Sequence, residues 1–161
     1  MMRALTMPRA RWLYVGSAVV GAMAFATSVW VAPWWRVGEV TIGPLGSRHC
    51  FGGECRPAGL AWIGATDLWM RSALATGTAG LVAMMLLLGV GGGLAARREP
   101  VLVAKMSLVA IASAIACAAY FVACFPGLQG ATFGLGAILF AVGAVMGSVS
   151  PLVVLRRHRR G

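Results

Sequence analysis

The hydrophobic pattern of this chain consists of four long apolar runs, separated by short turns and by one long polar loop. The runs cover 12–32, 67–94, 101–125 and 131–155. A helix needs about 20 mostly apolar residues to cross a hydrocarbon core of about 30 Å. The pattern therefore predicts a single all-α integral membrane domain, 1–161, built as a bundle of four transmembrane helices.

The first run has a second interpretation, a cleaved signal peptide. Arginines precede it, and Ala22, Ala24 and Ala26 are small residues of the kind found at cleavage sites. The run is, however, longer than the apolar core of a signal peptide. We expect it to be a retained helix.

The polar loop 33–66 carries most of the candidate chemistry. Within it, residues 36–42 alternate and are rich in β-branched side chains, which predicts a strand. Gly52 and Gly53 lie between Cys50 and Cys55 and are typical of a tight hairpin turn. The loop is therefore expected to form a small β-sheet closed by a disulfide.

Cys50 and Cys55 also allow two other interpretations, a redox-active pair and a metal site with His49. A zinc site needs four protein ligands, or three and a water, and the neighbouring sequence does not supply them. A disulfide across so short a loop stabilises it by about 2 kcal/mol in the chain-entropy description. We expect a structural disulfide, no metal and no cofactor.

Composition and charge support a membrane protein and indicate its orientation. The chain is 60% hydrophobic and 11% charged, far from the values of soluble domains. Its net charge of +10 comes from basic residues at the ends of the apolar runs, which argues against nucleic-acid binding. Ten of the fourteen basic residues fall at the termini and around the turn 95–100. The positive-inside rule then predicts cytoplasmic termini, with 33–66 outside.

Two further observations concern the source and the packing. The chain is rich in Ala, Gly and Arg and has no Asn, which suggests a GC-rich genome and a bacterial inner membrane. Gly143 and Gly147 form a GxxxG pattern that lets helix backbones approach closely. This pattern fits packing within the chain or a dimer seam, and we expect the former.

Several loop residues are candidates for specific contacts. Asp67 and Arg71 are four apart and can form an ion pair at the membrane boundary. Trp and Arg side chains dominate the energetics of many interfaces. The expected partner contacts are Trp34, Trp35, Arg48, Phe51 and Arg56. For the two tryptophans, anchoring at the membrane surface is the competing interpretation.

The arrangement resembles the claudin and peripheral myelin protein superfamily. The resemblance rests on four spans, Trp34 or Trp35 at the start of a long first outer loop, the pair Cys50 and Cys55, and Arg71 at the head of the second span. It implies a helix bundle with an extracellular sheet, and a role in cell contact, in barrier formation or as an auxiliary subunit.

These observations favour a non-enzymatic protein that contacts another membrane protein, or a second copy of itself, through its first outer loop, with membrane lipid as its surroundings. The alternative is a four-helix thiol-disulfide oxidoreductase. Such an enzyme relays oxidation through a second outer pair of cysteines, but the second outer loop, 126–130, has none and only Cys124 borders it.

Overall fold

Four long helices form the body of the protein in the computed structural model, which describes residues 8–160. They are α1 (Pro8–Trp30), α2 (Asp67–Ala95), α3 (Val101–Ala123) and α4 (Leu135–His158). Each is long and apolar enough to cross a membrane. The predicted fold class, an integral membrane four-helix bundle, is confirmed.

Local chemistry defines the start of two helices. The side-chain oxygen of Thr66 accepts a hydrogen bond from the backbone N–H of Trp69 at 3.3 Å, which caps α2. Pro100 directly precedes α3, where its missing N–H leaves no hydrogen bond unmade. The second and third helices therefore begin where the sequence predicted.

The helices pack in a closed ring in which α1 and α3 are each flanked by α2 and α4. Gly21 on α1 faces Gly143 and Gly147 on α4, so these two backbones touch. A Cβ atom on Gly21 would lie 2.6 Å from the Cα atom of Gly147. The GxxxG pattern of α4 thus lies at an interface inside the chain.

A five-stranded antiparallel sheet covers one end of the bundle, which we call the sheet end. Its strands are β1 (Trp35–Val37), β2 (Val40–Gly43), β3 (Gly46–Phe51), β4 (Glu54–Ala58) and β5 (Thr132–Phe133). The order in the sheet is β4-β3-β2-β1-β5. Four strands come from the first loop, and β5 comes from the loop between α3 and α4.

Two predictions about these loops are wrong. Residues 36–42 form a hairpin of two strands, because Gly38 adopts a φ of 56° and reverses the chain. The fourth helix begins at Leu135 and not at 131, because Thr132 and Phe133 pair with β1. The sheet therefore joins both loops into one structure.

An aromatic cluster connects the sheet to the helices. Trp34 is 1% exposed, and its ring contacts Phe121 and Phe140 at centroid distances of 5.6 and 5.2 Å. Trp35 stacks on Phe125 at 4.3 Å. Trp69 is also buried, and its indole N–H donates to the carbonyl of Phe121 at 2.9 Å. The sheet thus rests on a packed aromatic layer.

Candidate functional site

The two faces of the sheet differ in chemistry. Trp35, Ile42 and Ser47 lie opposite one another on adjacent strands and are buried against the bundle. The next row along the strands points the other way, because successive side chains in a strand alternate between faces. This outward row, the arginine row, crosses all five strands and consists of Thr132, Arg36, Thr41, Arg48 and Pro57.

Arg36 and Arg48 give the arginine row its charge. Both side chains are exposed, and Thr41 separates them, so their Cα atoms lie about 10 Å apart at two strand spacings. Within residues 8–160, neither guanidinium has a carboxylate within 4.0 Å. The outward face therefore presents two unpaired positive charges.

The arginine row runs into a cavity of about 230 Å³ at the exit of α1. Trp30 and Val31 line one wall, and Thr41, Arg48 and Pro57 line the other. The cavity thus combines an apolar wall at the membrane boundary with one guanidinium.

The hairpin between β3 and β4 forms an exposed tip. Gly52 and Gly53 both have positive φ, which allows the tight turn between the paired residues Phe51 and Glu54. Arg56 and Glu54 form an ion pair at 3.3 Å, but both side chains are more than three-quarters exposed. Such a pair contributes little to stability.

The predicted disulfide between Cys50 and Cys55 is confirmed and closes this tip. The two residues lie directly opposite each other in the ladder, and the N–H of Cys50 donates to the carbonyl of Glu39 on the β2 side. Cys50 and Cys55 are therefore a non-hydrogen-bonded pair, the type whose side chains lie closest. The pairing register of β3 and β4 alone thus explains the disulfide.

Three rings near the tip form a second feature, which we call the tip patch: His49, Phe51 and Trp62. The His49 and Trp62 rings meet edge-on at 4.8 Å, and Phe51 is 63% exposed. The indole N–H of Trp62 donates to the Ser47 hydroxyl at 2.8 Å, and that hydroxyl donates to the carbonyl of Gly59 at 3.0 Å. The patch is therefore an exposed aromatic surface held by hydrogen bonds.

The structure places the predicted contact residues in two groups. Arg48, Phe51 and Arg56 are exposed on the sheet. Trp34 and Trp35 are buried in the aromatic layer, which leaves their rings no surface for a partner. The expectation that these two tryptophans contact a partner is therefore corrected, because they join the sheet to the helices.

Another expected feature does not form. Within residues 8–160 the ion pair at this end joins Glu54 to Arg56, whereas Asp67 and Arg71 are exposed and more than 4.0 Å apart. In water at the helix surface, ordering two such side chains costs about as much as their attraction returns.

Sequence reasoning missed His49 and Trp62 as a joint surface. They are 13 positions apart, and only the β3–β4 hairpin followed by the 3-10 turn Ala61–Ile63 brings their rings together. The available signal was weaker: Ser47, His49 and Phe51 are spaced two apart just before the predicted turn at Gly52 and Gly53, so they share one face when this segment forms a strand, as it does in β3.

A measurement of free thiols tests the role of the cysteines. Cys117 and Cys124 on the third helix are free, whereas Cys50 and Cys55 are bonded. We expect thiol alkylation of the purified native chain to add two groups before reduction and four after it, with no change on adding a quinone. A structural bridge of this kind stays oxidised because its potential is low. A partly reduced Cys50–Cys55 pair that quinone re-oxidises would instead indicate a redox enzyme.

No protein-family model and no curated protein sequence matches this chain.

Proposed function

We propose that this chain is a claudin-like, non-enzymatic membrane protein that contacts another protein through its sheet, as a cell-contact protein or as an auxiliary subunit. One observation carries the proposal: both loops build a single sheet on the bundle, and that sheet presents ordered, exposed aromatic and cationic side chains. Four apolar helices in a membrane offer no comparable surface.

Pre-organisation of the tip patch supports this proposal. Binding costs about 0.5–1.5 kcal/mol for each flexible side chain that becomes ordered. The rings of His49 and Trp62 already contact each other, and the Ser47 hydroxyl holds Trp62 in place. The disulfide restricts the conformational freedom of the hairpin that carries Phe51. This surface can bind a partner with little further ordering.

The free edges of the sheet make strand addition an unfavourable mode of contact. Cys50 directs its backbone N–H to β2, and Arg48, two residues earlier in the same strand, directs its backbone groups the same way. The backbone nitrogen of Pro57, which pairs with Arg48 on β4, therefore faces the free edge. Proline has no N–H to donate there, which blocks an added strand. At the other edge, β5 has two residues. Contact through side chains is therefore the favoured mode.

Charge defines the complementary partner surface. Arg36 and Arg48 stand unpaired on the outward face, and complementary potentials guide association between proteins. We expect a partner with acidic side chains opposite the arginine row and apolar groups that reach the tip patch around the exposed tip, because His49 and Phe51 lie on the other face of β3. That partner is another membrane protein or a second copy of this chain.

Substitutions at the tip test the proposal. Replacing Phe51 and Arg48 by Ala should weaken partner capture by at least tenfold, because aromatic and Arg anchors cost about 2 kcal/mol or more when truncated. The helices should keep their stability, since both side chains are exposed. The measurement is cross-linking in the native membrane, followed by purification and quantitation of the captured protein.

Leu68 and Arg71 provide matched controls for the tip variants. Both are exposed at the sheet end but belong to α2, and neither lies in the tip patch or the arginine row. Their replacement by Ala should leave capture unchanged. If the tip variants keep their partner while the α2 variants lose it, the contact surface lies on the helices and the proposal is wrong.

We also propose that the sheet lies outside a bacterial inner membrane and that both termini are cytoplasmic, on the basis of the basic residues at the opposite end. A cysteine placed at Gly52 should react with an impermeant thiol reagent on intact spheroplasts, whereas one placed at Gly161 should react only after lysis. The wild-type chain controls for labelling of Cys124, which is exposed. Labelling at Gly161 before lysis would reverse the orientation.

A further inference from the structure

The surface between α2 and α3 contains an apolar groove of about 510 Å³, well apart from the sheet. Thr78 and Ser113 lie at the inner end of the groove, near the middle of the membrane. Leu86 and Lys105 lie at its outer end, which is the end nearer the membrane surface opposite the sheet. The hydroxyl of Thr78 donates to the carbonyl of Leu74 in its own helix at 3.0 Å. The groove walls therefore suit an apolar occupant.

Lys105 gives the outer end of the groove a positive charge. It lies one turn into α3, at the end of the bundle opposite the sheet, and it is exposed. Within residues 8–160 it has no carboxylate within 4.0 Å. A Lys at this depth extends its stem along apolar surface and keeps its ammonium group at the membrane boundary. The free charge therefore sits beside the headgroup region.

The length of the groove fits an alkyl chain. From Lys105 to Ser113 the groove runs over eight residues of α3, which is about 12 Å at 1.5 Å per residue. This length covers most of one leaflet of a core that is about 30 Å thick. The groove of about 510 Å³ is therefore long enough to hold much of one acyl chain.

We propose that this groove binds one anionic phospholipid of the leaflet opposite the sheet. Its phosphate pairs with the ammonium group of Lys105, and an acyl chain lies along the groove toward Ser113. The charge of Lys105 determines which headgroup binds, and the groove holds the chain. This site is independent of the contact proposed for the sheet.

Lipid binding by native mass spectrometry tests the site, with the full-length chain in mild detergent. The probes are phosphatidylglycerol and phosphatidylcholine with identical acyl chains. We expect the wild type to bind phosphatidylglycerol about fivefold more tightly, since one Lys near the surface contributes about 1 kcal/mol toward an anionic lipid. Lys105→Gln should remove this preference.

Two matched pairs separate a groove site from general attraction. Arg98→Gln removes a charge from the adjacent turn, outside the groove, and should leave the preference intact. Ser113→Trp fills the inner end of the groove and should weaken the binding of both lipids several-fold. Ala112→Trp, at an exposed position on the same helix but outside the groove, should leave the binding of both lipids unchanged.

Three outcomes would overturn the proposal. The first is a preference for phosphatidylglycerol that survives Lys105→Gln. The second is an equal loss of preference in Arg98→Gln, which would mean diffuse electrostatic attraction. The third is a dimer of the chain that Ser113→Trp dissociates, which would place a second protein copy in the groove.

Discussion

Replacing Trp34 by Ala should lower the free energy of unfolding by about 3–5 kcal/mol, the range for removing a large buried aromatic side chain. Trp34 is 1% exposed and contacts the rings of Trp35, Phe121 and Phe140. Its truncation leaves a cavity between the sheet and the helices. It also leaves the carbonyl of Ser28 without the indole N–H that donates to it at 3.1 Å.

Two comparison variants, Trp30→Ala and Trp34→Phe, test whether the loss of stability is specific to the buried ring and hydrogen bond of Trp34. Trp30 is on the same stretch of chain but half exposed, so Trp30→Ala should cost much less. Trp34→Phe keeps an aromatic ring but loses the hydrogen bond, and should cost about 1–2 kcal/mol. The measurement is unfolding in mixed micelles of increasing denaturing-detergent fraction. Equal losses for Trp30→Ala and Trp34→Ala would show that Trp34 does not join the sheet to the helices.

Replacing Gly21 by Ala should also destabilise the bundle, by about 1–3 kcal/mol or more, because overpacking forces backbone shifts. The added Cβ would lie 2.6 Å from the Cα atom and 2.7 Å from the backbone nitrogen of Gly147. Since both neighbours are backbone atoms, α1 and α4 must move apart. Dispersion contacts between helices, which carry much of the association in lipid, would then be lost along the interface.

Gly16 on the same helix provides a control of opposite sign. A Cβ there meets nothing within 4 Å, so Gly16→Ala should stabilise α1 by about 0.5–1 kcal/mol through its higher helix propensity. Both variants can be followed in the same detergent titration. A destabilisation by Gly16→Ala equal to that by Gly21→Ala would mean that neither effect depends on the α1–α4 contact.

The two glycines of the GxxxG pattern should rank below Gly21. A Cβ on Gly143 would approach the backbone nitrogen of Phe25 and the carbonyl of Gly21 at 3.1 and 3.2 Å. A Cβ on Gly147 would meet the end of the Leu87 side chain at 2.7 Å, and that side chain can rotate. The pattern in the sequence marks α4, but of these three glycines the one in the tightest backbone contact, Gly21, is on α1.

The local features of the fold could be predicted because their causes are local. Apolar length predicts each span, and the Gly52–Gly53 turn places Cys50 opposite Cys55. Thr66 caps α2 from the position directly before the first residue of the helix. Each of these depends on residues within one helix or one hairpin. For the same reason the exposed tip residues Arg48 and Phe51 were predictable as part of a candidate contact surface.

The hairpin at Gly38 and the strand β5 were not predictable in this way. A run of alternating residues is compatible with one strand or with two joined at a glycine. A single strand would place Val37 and Val40 on opposite faces, whereas the turn at Gly38 pairs them on the same face, and short-range alternation does not reveal that turn. Thr132 and Phe133 have little strand signal of their own, and they pair with Arg36 and Trp35 almost a hundred residues earlier. Their hydrogen bonds exist only because the bundle brings the two loops to one end.

The sequence by itself thus determined the membrane class, the four spans and the disulfide-closed tip, because apolar length and short-range spacing define them. Only the tertiary structure decided the role of the tryptophans. Trp34 and Trp62 have the same chemistry and lie in the same loop, yet one is 1% and the other 43% exposed. Burial depends on what the rest of the chain places around a ring, and for Trp34 that includes Phe121 and Phe140 from two distant helices.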